Sequence, residues 1–216
     1  MLHSPKQRTR GATMIRGLDK GQRAALLISE CQLGVIDPQL SPFQTLAEQV
    51  GARAIVPRIA RLAQAFRKAK LPIIHLHVVH RPDYVDLPRT SAIIVRSIKD
   101  QRMIAGSRDV LPVEELAPHE GDIVHARSFS LVAFHGTNLD ATLRNMGVQT
   151  LVPVGVSTNV AISGTSLCGS DLGYQVVVPE DCIAGASAES HEFILRNLLP
   201  LYSTVCDSEA VIQAIG

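Results

Sequence analysis

The sequence predicts an α/β fold in which a doubly wound parallel sheet carries helices on both faces. Three observations predict it. Short apolar runs alternate with stretches of helical period along most of the chain, the order left by successive strand–helix–strand units. Several of those runs are near-continuous in Val, Ile and Leu, as strands buried on both faces must be. A chain of 216 residues also suffices for one domain with a sizeable core, without calling for two.

Residues 1–20 are polar, glycine-containing and mildly basic, with Lys6, Arg8, Arg10, Arg16 and Lys20. They read as a flexible extension with no catalytic role, which leaves 21–216 as the domain. The strand candidates are "AALLISEC" (24–31), "PIIHLHVV" (72–79), "DIVHAR" (122–127), "TLVPVGV" (150–156), "YQVVVP" (174–179) and, more weakly, "STVCD" (203–207). Pro153 counts against full regularity in the fourth, because it cannot donate to a ladder.

The helices between them have readable ends. Pro57 suits a first turn, and Ile59, Leu62 and Phe66 follow at helical spacing. In "GTNLDATLRNMG", Thr137 or Asn138 is the cap, Leu139, Leu143 and Met146 form the apolar stripe, and Gly147 terminates. A third helix starts near Thr158 and ends by Gly173, with Gly164 and Gly169 as local weak points. Ser187 caps "AESHEFILRNLL". Residues 81–120 are charged, punctuated by proline and without a long period, which predicts a lid, a binding loop or an oligomer contact.

Composition excludes several function classes. The hydrophobic fraction is 46%, charged residues are 19% and the net charge is +1, so nothing favours nucleic acid or an anionic membrane surface. No apolar run approaches the ~20 residues of a membrane span, and no secretory signal is apparent, so the expected location is cytoplasmic. The four cysteines form no CxxC pair and read as reduced, buried small hydrophobes rather than disulfides or zinc ligands.

In an open parallel sheet, ligands bind at the carboxyl ends of the strands, where strand order reverses. Glu30 ends the first strand and needs a partner if it is partly buried. Arg127, ending the third, can supply a guanidinium that stays charged at any relevant pH. A structural ion pair between strands explains these two residues equally well. The fourth strand ends at Gly155, Val156 and Ser157 and opens a helix through Asn159, Val160 and Ala161. The first amides of that helix could hold a carboxylate or an oxyanion, or the helix could simply be capped by Ser157, Thr158 or Asn159.

The strand ending "SECQ", followed by "RSFSLVAFHGTNLDATLRNMGV", "GVSTNVAI" and "GYQVVVPEDCIA", resembles the isochorismatase-like cysteine hydrolases from about Ala24 to Ala184. The resemblance implies a three-layer, Rossmann-like fold with a six-stranded parallel sheet, assembled as a homodimer or homotetramer. It also implies a catalytic Asp, Lys and Cys, and a non-proline cis peptide, here between Val156 and Ser157. All three triad positions depart from the pattern: they hold Glu30, Arg127 and Ala161. A methyl group cannot form a covalent intermediate. No other thiol is well placed, since Cys31 should face a helix layer and Cys168 lies ~10 Å further along the helix at ~1.5 Å per residue.

Isochorismatases proper have a small residue at the cysteine position and use the acid position as proton donor. That role requires a raised carboxyl pKa, which Arg127 would oppose. His80, Phe134, Val156, Ser157, Asn159 and Val160 are the expected substrate contacts. Some relatives bind a metal through one Asp and several His, but "LGVIDPQLSPFQT" has no histidine to match, so neither metal nor cofactor is expected. The expectation is a hydrolase of a small, anionic metabolite acting without a cysteine nucleophile. The alternative is an inactive member retained for ligand binding or assembly, with no nucleic-acid or membrane partner in either case.

Overall fold

The computed structural model describes residues 15–19 and 21–216, and among them seven strands form one parallel sheet. These are β1 (Ala24–Ser29), β2 (Ile73–Val78), β3 (Ile123–Arg127), β4 (Thr150–Val156), β5 (Gln175–Pro179), β6 (Ile183–Ala184) and β7 (Thr204–Cys206). The order across the sheet is β3, β2, β1, β4, β5, β7, with β6 beside the end of β4. All six predicted strands are present with slightly shorter ends. The seventh, β6, has two residues, too few to leave a pattern.

The helices are α1 (Leu33–Ile36), α2 (Gln44–Arg53), α3 (Ile55–Lys68), α4 (Ala92–Lys99), α5 (Leu139–Asn145), α6 (Ser163–Asp171), α7 (Ala188–Asn197) and α8 (Ser208–Ile215). Alternation along β1 sorts them into layers. Leu26 and Ile28 face Ile55, Ile59, Leu62 and Phe66 of α3, while Ala25 and Leu27 face Leu139 and Leu143 of α5. Period 2 in the strand and period 3.6 in each helix thus meet on both faces of the sheet.

Of the extension expected over residues 1–20, residues 1–14 and 20 lie outside the described residues. Ile15 and Leu18 are buried in the α3-side core, and Thr150 Oγ1 donates to the Gly17 carbonyl. The packed body therefore begins before residue 21. Ser187 caps α7 as expected, its hydroxyl accepting from the Ser190 amide at 3.2 Å. At α5, Thr137 Oγ1 accepts from Leu139 N at 3.3 Å, whereas Asn138 makes no side-chain cap bond. Residues 81–120 do contain a helix, α4, whose eight residues give about two turns and so little periodic signal.

Pro153 sits within β4, in register with Leu27. On its other side β4 pairs with β5 only through Thr150 and Leu151 and with β6 only through Gly155 and Val156. A residue without a donor falls in the gap between those pairings.

The chain builds β1, β2 and β3 outward on one side, then returns to the other side of β1 for β4. The switch point is therefore between the carboxyl ends of β1 and β4, where Ser29 is in register with Gly155. Gly155 has φ +100°, and a Cβ there would lie 2.2 Å from the Ser29 carbonyl oxygen and 3.0 Å from Cys31 Sγ. Only glycine fits. Gly155→Ala should lower stability by at least about 2 kcal/mol, combining a left-handed backbone penalty with overpacking. Denaturant unfolding followed by circular dichroism checks this, the chain having no Trp.

Candidate active site

Glu30 leaves β1 with φ 53°, a left-handed turn that is costly for a residue with a Cβ. The strand thus stops at Ser29, and the turn lets Glu30 meet Arg127 while Cys31 drops into the α3-side core. Arg127 Nη2 donates to Glu30 Oε1, and Arg127 Nε donates to the Ser130 carbonyl at 3.0 Å. The Arg127 side chain is 2% exposed, the Glu30 side chain 18%. Nη1 of Arg127 is buried and has no hydrogen-bond partner among the described residues. Burial pushes the Glu30 carboxyl above its ordinary value, and the charge and hydrogen bond of Arg127 oppose that rise without cancelling it.

Gln32, two residues on, is fully buried and fixes the surroundings. Its Nε2 donates to the carbonyls of Val78 and Val110, each at 2.9 Å, and its Oε1 accepts from Val78 N at 2.8 Å. The end of β2 is thereby tied to the connection that follows α4.

Glu30 opens into a cleft with two chambers that share Val35, Phe43 and Ile93. The outer chamber, of about 500 Å³, reaches Leu46, Arg96, Ser157, Asn159 and Val160. The inner one, of about 70 Å³, is closed by Val78, His80, Met103, Phe129 and Leu131. A larger depression of about 670 Å³ lies at the amino ends of the strands. It is shallow, and its Asp122 is already held by Arg67 at 2.5 Å and His75 at 3.1 Å, so chemistry is better served by the cleft.

Most of the expected contacts line the cleft. His80 lies against the inner chamber, its Nδ1 2.5 Å from the Ser128 carbonyl. Ser157, Asn159 and Val160 line the outer one. Phe134 does not: its ring stacks on Tyr174 at 6.2 Å in the α5-side core, because the chain turns inward after Leu131. Val156 is fully buried in the core beneath the site, as its place within β4 requires.

The peptide bond between Val156 and Ser157 is cis, and residues Thr158–Ile162 form a π turn leading into α6. Ala161, 2% exposed, lies in that turn and contributes no wall to either chamber. The amide of Val160 is already spent on the Ser157 carbonyl at 3.1 Å, which reduces the set of helix-start donors expected there. Sequence reasoning missed Phe43, Ile93 and Arg96. The last two belong to α4, whose eight residues leave too little period to mark them.

None of the four thiols is activated. Burial pushes Cys182 and Cys206 up to about 12, and raises Cys31 and Cys168 as well, the reverse of what a nucleophilic cysteine needs. Thr158 Oγ1 lies 2.8 Å from His191 Nδ1, but both residues are fully buried and no substrate can reach that hydroxyl. Among the described residues, no group of three or more His, Cys, Asp and Glu could hold a metal. No helix among them is long and apolar enough to cross a membrane.

The isochorismatase domain model matches residues 24–210. The chain belongs to the isochorismatase family. Ureidoacrylate amidohydrolase RutB of Methylobacterium radiotolerans is 31% identical over 179 residues, covering 77% of this chain and 69% of that protein. The structure of an isochorismatase family protein from Desulfovibrio vulgaris superposes with a TM-score of 0.80 at 25% identity, over 90% of this chain and 98% of the other. A cysteine hydrolase from Pseudomonas syringae does so with a TM-score of 0.80 at 26% identity, over 89% and 92%. The parallel sheet flanked by helices is thus the family's fold.

The His191–Thr158 contact anchors α7 to the turn that lines this family member's cleft. Burial first, then the charge of Arg53, lowers His191 to about 4, with Glu192 pulling weakly the other way. Burial, with His75 and Arg127, lowers His77 to about 4 too. Unfolded histidines take protons near 6.5, so this stability is complete above about pH 6.5 and lost as pH falls toward 4. Thermal melts should show Tm falling between pH 7 and 4.5, and His191→Gln should flatten part of that fall. An unchanged slope in the variant would assign the acid loss elsewhere.

Proposed function

We propose that this protein hydrolyses a small amide or related metabolite without a covalent cysteine intermediate. Glu30, Arg127 and Ala161 occupy the positions that hold the Asp, Lys and Cys of the family's thiol enzymes. The observation that carries the reading is Glu30 itself: a carboxyl group with raised pKa at the switch point, backed by a buried guanidinium and open to a cleft. The similarity to a ureidoacrylate amidohydrolase supports a C–N bond as the target.

In the proposed step, ionised Glu30 takes a proton from water as the water oxygen bonds to the substrate carbonyl carbon. Glu30 then returns the proton to the leaving nitrogen as the C–N bond breaks, so one water is consumed and the carboxylate is regenerated. Arg127 compensates the charge on Glu30, and Nη1, which has no hydrogen-bond partner among the described residues, is consistent with this role.

Ala161 favours a second reading, a family member kept for ligand binding or assembly, because its methyl group removes the nucleophile. Assays over amides, ureides and carbamates separate the two. The hydrolase reading expects Glu30→Gln to lower kcat at least ~100-fold, with kcat/KM falling on the acid side at an apparent pKa above 4.5. Alkylating the accessible thiols should leave the rate nearly unchanged. No turnover of any compound, together with a ligand-induced rise in Tm, would select the binding reading. Loss of activity on alkylation would overturn both.

A further inference from the structure

The cleft around Glu30 has more to say about what fills it. Its outer chamber of about 500 Å³ is walled mainly by hydrocarbon from Val35, Phe43, Leu46, Ile93 and Val160. That volume suits a molecule of ligand size rather than a few waters. Charge is scarce among these walls. Among the described residues, Glu30 is the one acidic side chain lining either chamber and Arg96 the one Lys or Arg.

Arg127 does not line the cleft. Its side chain is almost wholly buried and its Nη2 and Nε are spent on Glu30 and Ser130. It therefore balances Glu30 rather than meeting an anion from solution. Arg96 is placed differently: it sits in the last turn of α4 and is 58% exposed, and only its Nε contacts Asp100, at 3.4 Å. The terminal nitrogens of its guanidinium make no protein hydrogen bond among the described residues, and a guanidinium fork matches a carboxylate geometrically.

We propose that the cleft selects an amide with a hydrocarbon body and one carboxylate. The body lies between Phe43, Leu46 and Ile93, the amide faces Glu30, and the carboxylate is taken by Arg96 at the mouth. Anion recognition thereby moves from the helix amides, where the sequence suggested it, to α4. The placement of the amide rests on the hydrolase reading above; the role of Arg96 does not. Arg96 is a specificity residue here, since it touches the substrate remote from the bond that breaks.

Binding measured by calorimetry tests this without any need for turnover. The probes are benzamide, 3-carbamoylbenzoate and 4-carbamoylbenzoate, which share an aromatic body and differ by the carboxylate and its position. At low salt, at least one carbamoylbenzoate should bind about tenfold or more tightly than benzamide, and the preference should shrink as salt screens the pair. Arg96→Gln should abolish the preference at unchanged Tm, and Arg96→Lys should keep part of it. Equal affinities for all three, a preference that survives in Arg96→Gln, or no binding of any probe would each overturn the proposal. The hydrolase reading fails separately, on the absence of turnover or its indifference to Glu30→Gln.

Discussion

The site depends on one ion pair, which reaches from the end of β1 over the end of β2 to the end of β3. Glu30 and Arg127 are 97 residues apart, and only the completed sheet brings them together. A buried guanidinium without a carboxylate would be strongly unfavourable, and so would a buried carboxylate without its cation. Each residue makes the other tolerable. That mutual requirement also explains the strained backbone at Glu30: without the left-handed turn at φ 53°, the side chain could not leave the strand toward Arg127. Gly155 completes the arrangement from the other side by letting β4 approach the turning chain.

Electrostatics and packing then divide the work. Arg127 fixes the charge state behind Glu30, while the surrounding hydrocarbon withholds water and raises the carboxyl pKa. Desolvation wins, although a fixed charge beside a carboxylate ordinarily lowers its pKa. The same desolvation acts on the thiols and shuts them down as nucleophiles. Burial therefore raises the proton affinity of Glu30 and keeps the thiols protonated.

Much of this was legible in the sequence, for identifiable reasons. The strands carry continuous Val, Ile and Leu, and Ser187 and Gly147 mark helix ends, so the layers could be assigned. Glu30, Arg127, Ser157 and Asn159 lie at strand ends, and strand ends are where such sheets place ligands. What escaped depended on tertiary packing. Phe134 follows the third strand closely, yet it belongs to the opposite core because its ring finds Tyr174. Arg96 and Ile93 lie in a helix of about two turns within a charged segment, too short to announce a period. The two residues of β6 make no sense without β4 beside them.

The hydrogen bonds of Gln32 divide the connection after β2 into two parts held by different means. Beyond α4 the chain is stitched to the sheet: Met103 and Ala105 bracket His80 at 2.7 and 2.8 Å, Val110 accepts from Gln32, and Leu111 and Val113 bond to Leu33 and Cys31 at 2.8 and 3.1 Å. These residues form a strap that cannot lift without exposing several backbone groups at once. Between β2 and the strap, α4 holds the wall of the cleft with a single residue, Ile94, buried. Ile94 packs with Tyr84 and Leu87, with Ile93 and Ile98 alongside, so α4 is held against the fold by side chains and the strap by backbone hydrogen bonds. Displacing α4 would leave the backbone around Glu30 intact, because the strap's bonds run to Cys31, Gln32, Leu33 and His80 and not to α4.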